Sequence, residues 1–170
     1  MRFSDQPESE RLLEQLMNLY GTDVLRMCYL YMKDGALAED AAQETFLKAY
    51  RKLDTLRDES KAKAWLMRIA GNVCKDQLRT AWFRRVDRRI TPETLPDSRV
   101  DVPLPEDSLS QAVMGLPVKA KEAVILHYYQ GFSVAETAVL LRLPENTVKS
   151  RLMRARKTLR SVLERWDLDE

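Results

Sequence analysis

The side chains best placed for chemistry lie near the end of the chain. Lys149, Arg151, Arg154, Arg156, Lys157, Arg160 and Arg165 crowd onto one stretch whose nearest acidic neighbour within it is Glu164, although the 170-residue chain carries a formal net charge of only +2. Positive charge concentrated on one segment of a balanced chain is the electrostatic footprint of a phosphate-facing surface. A solvated basic face on a packed helix would carry the same charges, so the elements around them decide between the two readings. Other chemistry is poorly supplied. His127, the only histidine, sits in the mostly apolar run AVILHYYQ with no partner motif to orient it for acid–base work. Cys28 and Cys74 have no close Cys or His companion in sequence, which argues against a zinc site or a disulfide framework and for two buried apolar side chains. Gly131 has no glycine neighbours, so no dinucleotide or P-loop fingerprint is present. The expectation is a protein that binds, holds no metal or cofactor, and is not an enzyme.

The basic stretch needs a helix to display it, and the sequence around it supplies one. Ser133 followed by Glu136 is a capping box, which predicts a short helix through Ala138 to Leu141. Pro144 stops it and biases Leu143 away from the α region, leaving Arg142 to Asn146 as a tight connection, with Asn146 and Thr147 capping the next helix. In that second helix Val148, Leu152, Ala155, Leu159 and Leu163 form one narrow apolar stripe. Two helices joined by so short a turn, the second basic, make a helix-turn-helix.

Upstream, Leu12, Leu13, Leu16, Met17, Tyr20, Val24, Leu25, Cys28 and Tyr31 recur at helical steps over Glu10 to Met32, with a break or kink expected at Gly21 and an end at Asp34-Gly35. Ala42, Thr45, Phe46, Ala49, Tyr50 and Leu53 mark a second helix with an acidic start. After a loop over Leu53 to Lys61, a third is marked by Ala62, Trp65, Leu66, Ile69, Ala70, Val73 and Cys74 and runs to Trp82, with Trp65 read as core. Its other face presents Arg68, Asn72, Lys75, Asp76 and Arg79, followed by Trp82, Phe83 and the arginines 84, 85, 88 and 89. Asn72 and Asp76, four apart, suit either an unpaired base or solvent. Pro92, Pro96, Pro103 and Pro105 sit among Asp, Glu and Ser, which reads as an extended linker over residues 91–107. Helices over Ser108 to Met114 and Pro117 to Tyr129 then lead into the motif, Pro117 suiting a first helical position. The fold class is all-α: two small helical domains, residues 1–90 and 108–170, on a flexible linker. The chain shows no apolar run long enough to span a bilayer and a polar start, MRFSDQPESER, so a cytoplasmic location is expected.

Three segments together resemble a known family. DAAQETFLKAYRKLD from Asp40 to Asp54, AWLMRIAGNVCKDQLR from Ala64 to Arg79, and GFSVAETAVLLRLPENTVKSRLMRAR from Gly131 to Arg156 are similar to the extracytoplasmic-function (group four) sigma factors of bacterial RNA polymerase. The resemblance implies that Asp40, Gln43, Glu44 and Phe46 lie on a helix that docks on the clamp helices of the polymerase's largest subunit. It implies that the loop Leu56 to Lys63, with Asn72, Lys75, Asp76 and Arg79, takes the minus-ten promoter element and helps to open it. In the second domain Lys149, Ser150, Met153 and Arg154 would face the bases of the minus-thirty-five element, with Thr147, Arg151 and Lys157 on phosphates. Spacing agrees, because residues 149, 150, 153 and 154 share one helical face. Related sequences usually carry glycine where this one has Arg142 and Asn146. The implied partners are core RNA polymerase, promoter DNA and an anti-sigma factor, often membrane-bound, without insertion of this chain into a membrane. A helix-turn-helix repressor or activator working without polymerase is the alternative, and it would favour a palindromic footprint.

Overall fold

The computed structural model describes residues 7–88 and 108–167, with side chains throughout except at 82–88, 108, 163 and 165–167. The chain divides into two compact units, Met1–Val102 and Pro103–Glu170. All the regular structure among the described residues is helical. The linker expected over 91–107 lies outside the described residues.

The first unit is built on α1 (Glu8–Met32), α2 (Gly35–Arg51) and α3 (Ala62–Arg88). α1 is one uninterrupted helix, so the break expected at Gly21 does not occur. A single glycine weakens a helix by only about 1 kcal/mol, less than the packing of the turns on either side contributes. Val24, Met27, Cys28, Leu30 and Tyr31 are almost wholly buried near its C-terminal end. Lys33 closes it in the left-handed conformation, and Asp34 starts the next helix, its carboxylate accepting from the Leu37 amide at 2.9 Å. The Asp34-Gly35 pair thus ends one helix and begins another, which α2 does well before Ala42.

The buried face of α2 is Ala38, Ala41, Thr45, Phe46 and Ala49. Thr45 satisfies its hydroxyl on the Ala41 carbonyl at 2.7 Å. Ala42 is only partly buried and Tyr50 is 40 % exposed, so the expected stripe is turned by about one residue. Small alanines let α2 approach α1 and α3 closely, and its bulkier apolar side chains are left at the margin. Between α2 and α3 the chain makes two single 3₁₀ turns, Leu53–Thr55 and Glu59–Lys61. α3 runs past Trp82, the expected end. Its stripe is buried as predicted at Ala62, Leu66, Ile69, Ala70, Val73 and Cys74. A fully buried leucine such as Leu66 contributes about 2 kcal/mol. Trp65 is the exception. It is half-buried, and its indole N–H donates to Thr55 Oγ1 at 3.0 Å, tying the first 3₁₀ turn to α3.

The second unit comprises α4 (Ser108–Met114), α5 (Val118–Val124), α6 (Val134–Leu141) and α7 (Glu145–Asp167). Pro117 precedes α5 as its N-cap, not as its first helical residue, and its carbonyl accepts from the Lys121 amide at 2.9 Å. α5 continues into a π-helical turn, Ile125–Tyr129. His127, within that turn, has its Nδ1 at 2.7 Å from the Phe132 carbonyl, a structural bond that fixes the corner before α6. Val113, Leu116, Val124, Ile125, Leu126, Val148, Leu152 and Ala155 are buried in the core of this unit, where α4 and α5 pack on α7.

Candidate nucleic-acid interface

α6 opens as expected. The Ser133 hydroxyl accepts from the Glu136 amide at 3.1 Å, and the Glu136 carboxylate accepts from the Ser133 amide at 2.7 Å. Its end is unusual for the residue involved. Arg142 adopts the left-handed conformation at φ 54, ψ 46, its amide donating to the Val139 carbonyl at 3.2 Å and the Leu143 amide to the Ala138 carbonyl at 3.0 Å. This hydrogen-bond pair is the Schellman closure that glycine usually makes. Pro144 then starts α7, its carbonyl accepting from the amides of Thr147 and Val148 at 3.0 and 3.2 Å. Asn146 and Thr147, expected to cap, are therefore inside the first turn. Among the described residues the only non-glycine positions with positive φ are Lys33 and Arg142, so Asn146 needs no special conformation.

On α7, Val148, Leu152, Ala155 and Leu159 are buried, which fixes which way the other faces point. Lys149, Arg154 and Lys157 are exposed and Met153 is 61 % exposed, while Thr147 and Ser150 are half-buried. Ser150 donates its hydroxyl proton to the Asn146 carbonyl at 2.9 Å, leaving its lone pairs available. Beside this face runs a groove of about 650 Å³ between the start of α5 and α7, lined by Leu116, Lys119, Asn146, Ser150, Arg151 and Arg154. Two arginines are already engaged. Arg151 donates to Glu122 at 3.0 Å and to the Lys119 carbonyl at 3.3 Å. Arg156 donates to the Tyr128 hydroxyl at 2.8 Å. Neither Glu122 nor Tyr128 was singled out in sequence, where nothing links them to α7. The side chains of Leu163 and Arg165 lie outside the described residues.

In the first unit Asn72, Lys75, Asp76 and Arg79 share one face of α3; all are exposed except the half-buried Lys75. Asp76 accepts from Arg79 at 2.7 Å, a surface pair that costs little to open. The 3₁₀ turn before α3 is capped by Asp58, which accepts from both the amide and the hydroxyl of Ser60 at 3.0 and 2.6 Å. These two bonds hold the Asp58 carboxyl below its ordinary range. The side chains of Trp82, Phe83 and residues 84, 85 and 88, and all of residue 89, are outside the described set.

Asp40, Gln43 and Glu44, at i, i+3 and i+4, are neighbours on the outward side of α2, and Phe46 is buried beside them. Asp40 and Glu44 line a cleft of about 510 Å³ between α2 and α3 that also includes Asp76. Gln43 and Phe46 line a groove of about 830 Å³ between α1 and α2 with Leu13, Met17, Leu47 and Tyr50. Phe46 is only 8 % exposed and forms part of that groove's floor. Leu47, 54 % exposed, falls outside the periodic pattern of α2, and Met17, within the expected stripe of α1, is 48 % exposed. No group of carboxylates, histidines and cysteines among the described residues is arranged to hold a metal ion, and no helix there is long and apolar enough to cross a membrane.

Comparison with known proteins adds to this geometry. The Sigma-70 region 2 model matches residues 16–84, and the Sigma-70, region 4 model matches residues 106–159. The chain is 33 % identical over 158 residues to the ECF RNA polymerase sigma factor SigL of Mycobacterium tuberculosis, covering 90 % of this chain and 89 % of that protein. It is 28 % identical over 162 residues to the ECF RNA polymerase sigma factor SigW of Bacillus subtilis, covering 87 % of each. Among solved structures it is similar to the sigma factor RpoE in complex with the anti-sigma factor NepR from Bartonella quintana, with a TM-score of 0.76, 27 % identity, and coverage of 89 % of this chain and 96 % of that one.

Proposed function

The chain belongs to the extracytoplasmic-function RNA polymerase sigma factors, and from that membership we propose how its residues divide the work. It binds core RNA polymerase and directs it to promoters, where the duplex is opened for initiation. The observation that carries the reading is the pairing of two matched regions, in order, with a helix-turn-helix whose second helix displays Lys149, Met153 and Arg154. The chain itself catalyses nothing and works in the cytoplasm. Residues 1–90 serve the polymerase and the minus-ten element, 91–107 are the tether, and 108–170 serve the minus-thirty-five element.

Lys149, Ser150, Met153 and Arg154 meet base edges in the major groove: the cations suit guanine, and the exposed Met153 suits a thymine methyl group. Thr147 and Lys157 take flanking phosphates. Arg151, already held by Glu122, is a weaker candidate for that duty. Asn72, Lys75, Asp76 and Arg79, with the loop from Leu56 to Lys63, hold a base flipped out of the non-template strand. Flipping costs a few kcal/mol of stacking, which polar contacts of this kind must offset. Asp40, Gln43 and Glu44 contact the clamp helices, with Phe46 supporting them from beneath. An anti-sigma factor is the natural restraint, as NepR is for the matched RpoE.

The test is transcription in a purified system. Core polymerase supplemented with this chain should yield start-site-specific transcripts from promoters that the pair selects from random DNA. Core polymerase that gains no specific start from any genomic fragment would remove the reading.

A further inference from the structure

The buried side of α7 is flanked by two arginines that reach toward the same preceding element. Arg151 reaches Glu122 of α5, and Arg156 reaches Tyr128 of the π-helical turn that continues α5. Five residues apart at 3.6 per turn, they stand about 140° apart around the helix axis, one on each side of the stripe Val148, Leu152, Ala155 and Leu159. A stripe of small and branched apolar side chains tolerates some rotation about the helix axis. Two lateral hydrogen bonds anchored in one neighbouring element do not.

The two anchors are unequal. The Arg151–Glu122 pair is 3.0 Å long with side-chain exposures of only 17 % and 9 %, and the same guanidinium nitrogen also donates to the Lys119 carbonyl at 3.3 Å. Arg156 and Tyr128 are both exposed. The shielded pair is thus the strong constraint, since charge-assisted bonds out of solvent are strong and geometrically specific. It also ties the guanidinium down, because exchanging Glu122 for a phosphate would leave a buried carboxylate without its cation.

We propose that Arg151 is a positioning residue: clamped by Glu122, it sets the roll of α7 that presents Lys149, Ser150, Met153 and Arg154 to the bases, and it is not a phosphate contact. The proposal rests on α7 being the recognition helix.

Electrostatics and positioning make opposite predictions for one isosteric change. Glu122→Gln removes a negative charge from a DNA-binding unit, which by charge alone tightens binding to every duplex. If Glu122 instead holds the helix in register, selective binding falls. The test uses the full chain with two labelled duplexes, one selected from random DNA by wild-type chain and core polymerase, the other of random sequence. Glu122→Gln should bind the selected duplex about tenfold more weakly, the loss expected for a misplaced base contact, and the random duplex as well as or better than wild type. Arg151→Gln should show the same selective loss, with the log–log salt dependence on the random duplex unchanged. The double variant should be no weaker than either single one, because the two residues act as a unit.

A salt slope reduced in magnitude by about 0.9 in Arg151→Gln would make it a phosphate ligand and overturn the proposal. So would an unaltered selected-to-random ratio in Glu122→Gln, which alone decides the matter if circular dichroism shows Arg151→Gln unfolded. Arg154→Ala separates the two levels: if it leaves both affinities intact, the assignment of α7 fails and this inference with it. If it weakens the selected duplex while Glu122→Gln does not, only the clamp is wrong.

Discussion

Arg142 shows how one residue can be read correctly by position and still conceal its cost. Its place between Ser133 and Pro144 marks the turn, and the helix does end at Leu141, but the closure asks an arginine to take φ 54. The left-handed region costs a residue with a β-carbon about 1 to 2 kcal/mol, and glycine escapes most of that. Arg142→Gly should therefore raise the stability of the second unit by about 1 kcal/mol, seen as a higher denaturation midpoint at unchanged m-value. A lower midpoint would mean that the arginine side chain makes a compensating contact. Asn146, flagged by the same comparison, is helical and should gain nothing from glycine. Arg154 is the base-reading side chain most open to test: Arg154→Ala should cost about 1 to 3 kcal/mol on selected promoters. An equal loss on all sequences would assign it to the backbone instead.

Among the elements, the capping box of α6 and the stripes of α3 and α7 are legible because they depend on neighbours in sequence, whereas α7 is capped at Pro144 and not at Asn146 and Thr147. The capping box of α6, the burial of α3 from Ala62 to Cys74 and the stripe of α7 follow from spacing alone. The roll of α2 was not legible. Its apolar residues cover more than one face, and which of them the alanine-lined contact buries depends on how closely α1 and α3 approach. Nor was the continuity of α1, since a glycine reads as a break only when packing does not span it. A β-carbon at Gly21 meets nothing within 4 Å, so Gly21→Ala should stabilise the first unit by about 1 kcal/mol, raising its melting temperature by several degrees. An unchanged or lower melting temperature would mean the helix is distorted there. The turn before α3 carries a pH signature. Hydrogen bonds from Ser60 depress the Asp58 carboxyl, so the ordering they provide is complete above the ordinary carboxylate pKa of about 3.9 and is lost as pH falls through the lower folded value. The Ser60 amide resonance followed by NMR should titrate below that ordinary value; a midpoint at or above it would mean that the cap is not formed in solution.

For the molecule as a whole, the two units bury separate cores and carry different surfaces. The first has an apolar groove and an acidic-edged cleft on the two sides of α2; the second has a basic helix face. Sequence periodicity can find the basic face, because charge declares itself, but it assigns Met17 and Tyr50 to a core, because an apolar side chain awaiting a partner looks the same as one already packed. That distinction has a functional consequence. Asp40 and Gln43 are exposed neighbours on α2, far in sequence from α7, and neither supports the core of either unit. Asp40→Ala and Gln43→Ala should therefore reduce holoenzyme formation with core polymerase, each by about three- to thirtyfold if it removes one polar contact in a desolvated interface. Duplex binding by the same variants, read by anisotropy at fixed salt, should stay at the wild-type value. If only Gln43→Ala weakens assembly, the α1–α2 groove is the docking surface and the cleft holding Asp40, Glu44 and Asp76 belongs to the minus-ten element. Wild-type holoenzyme yield from both variants would place the polymerase contact elsewhere on the first unit.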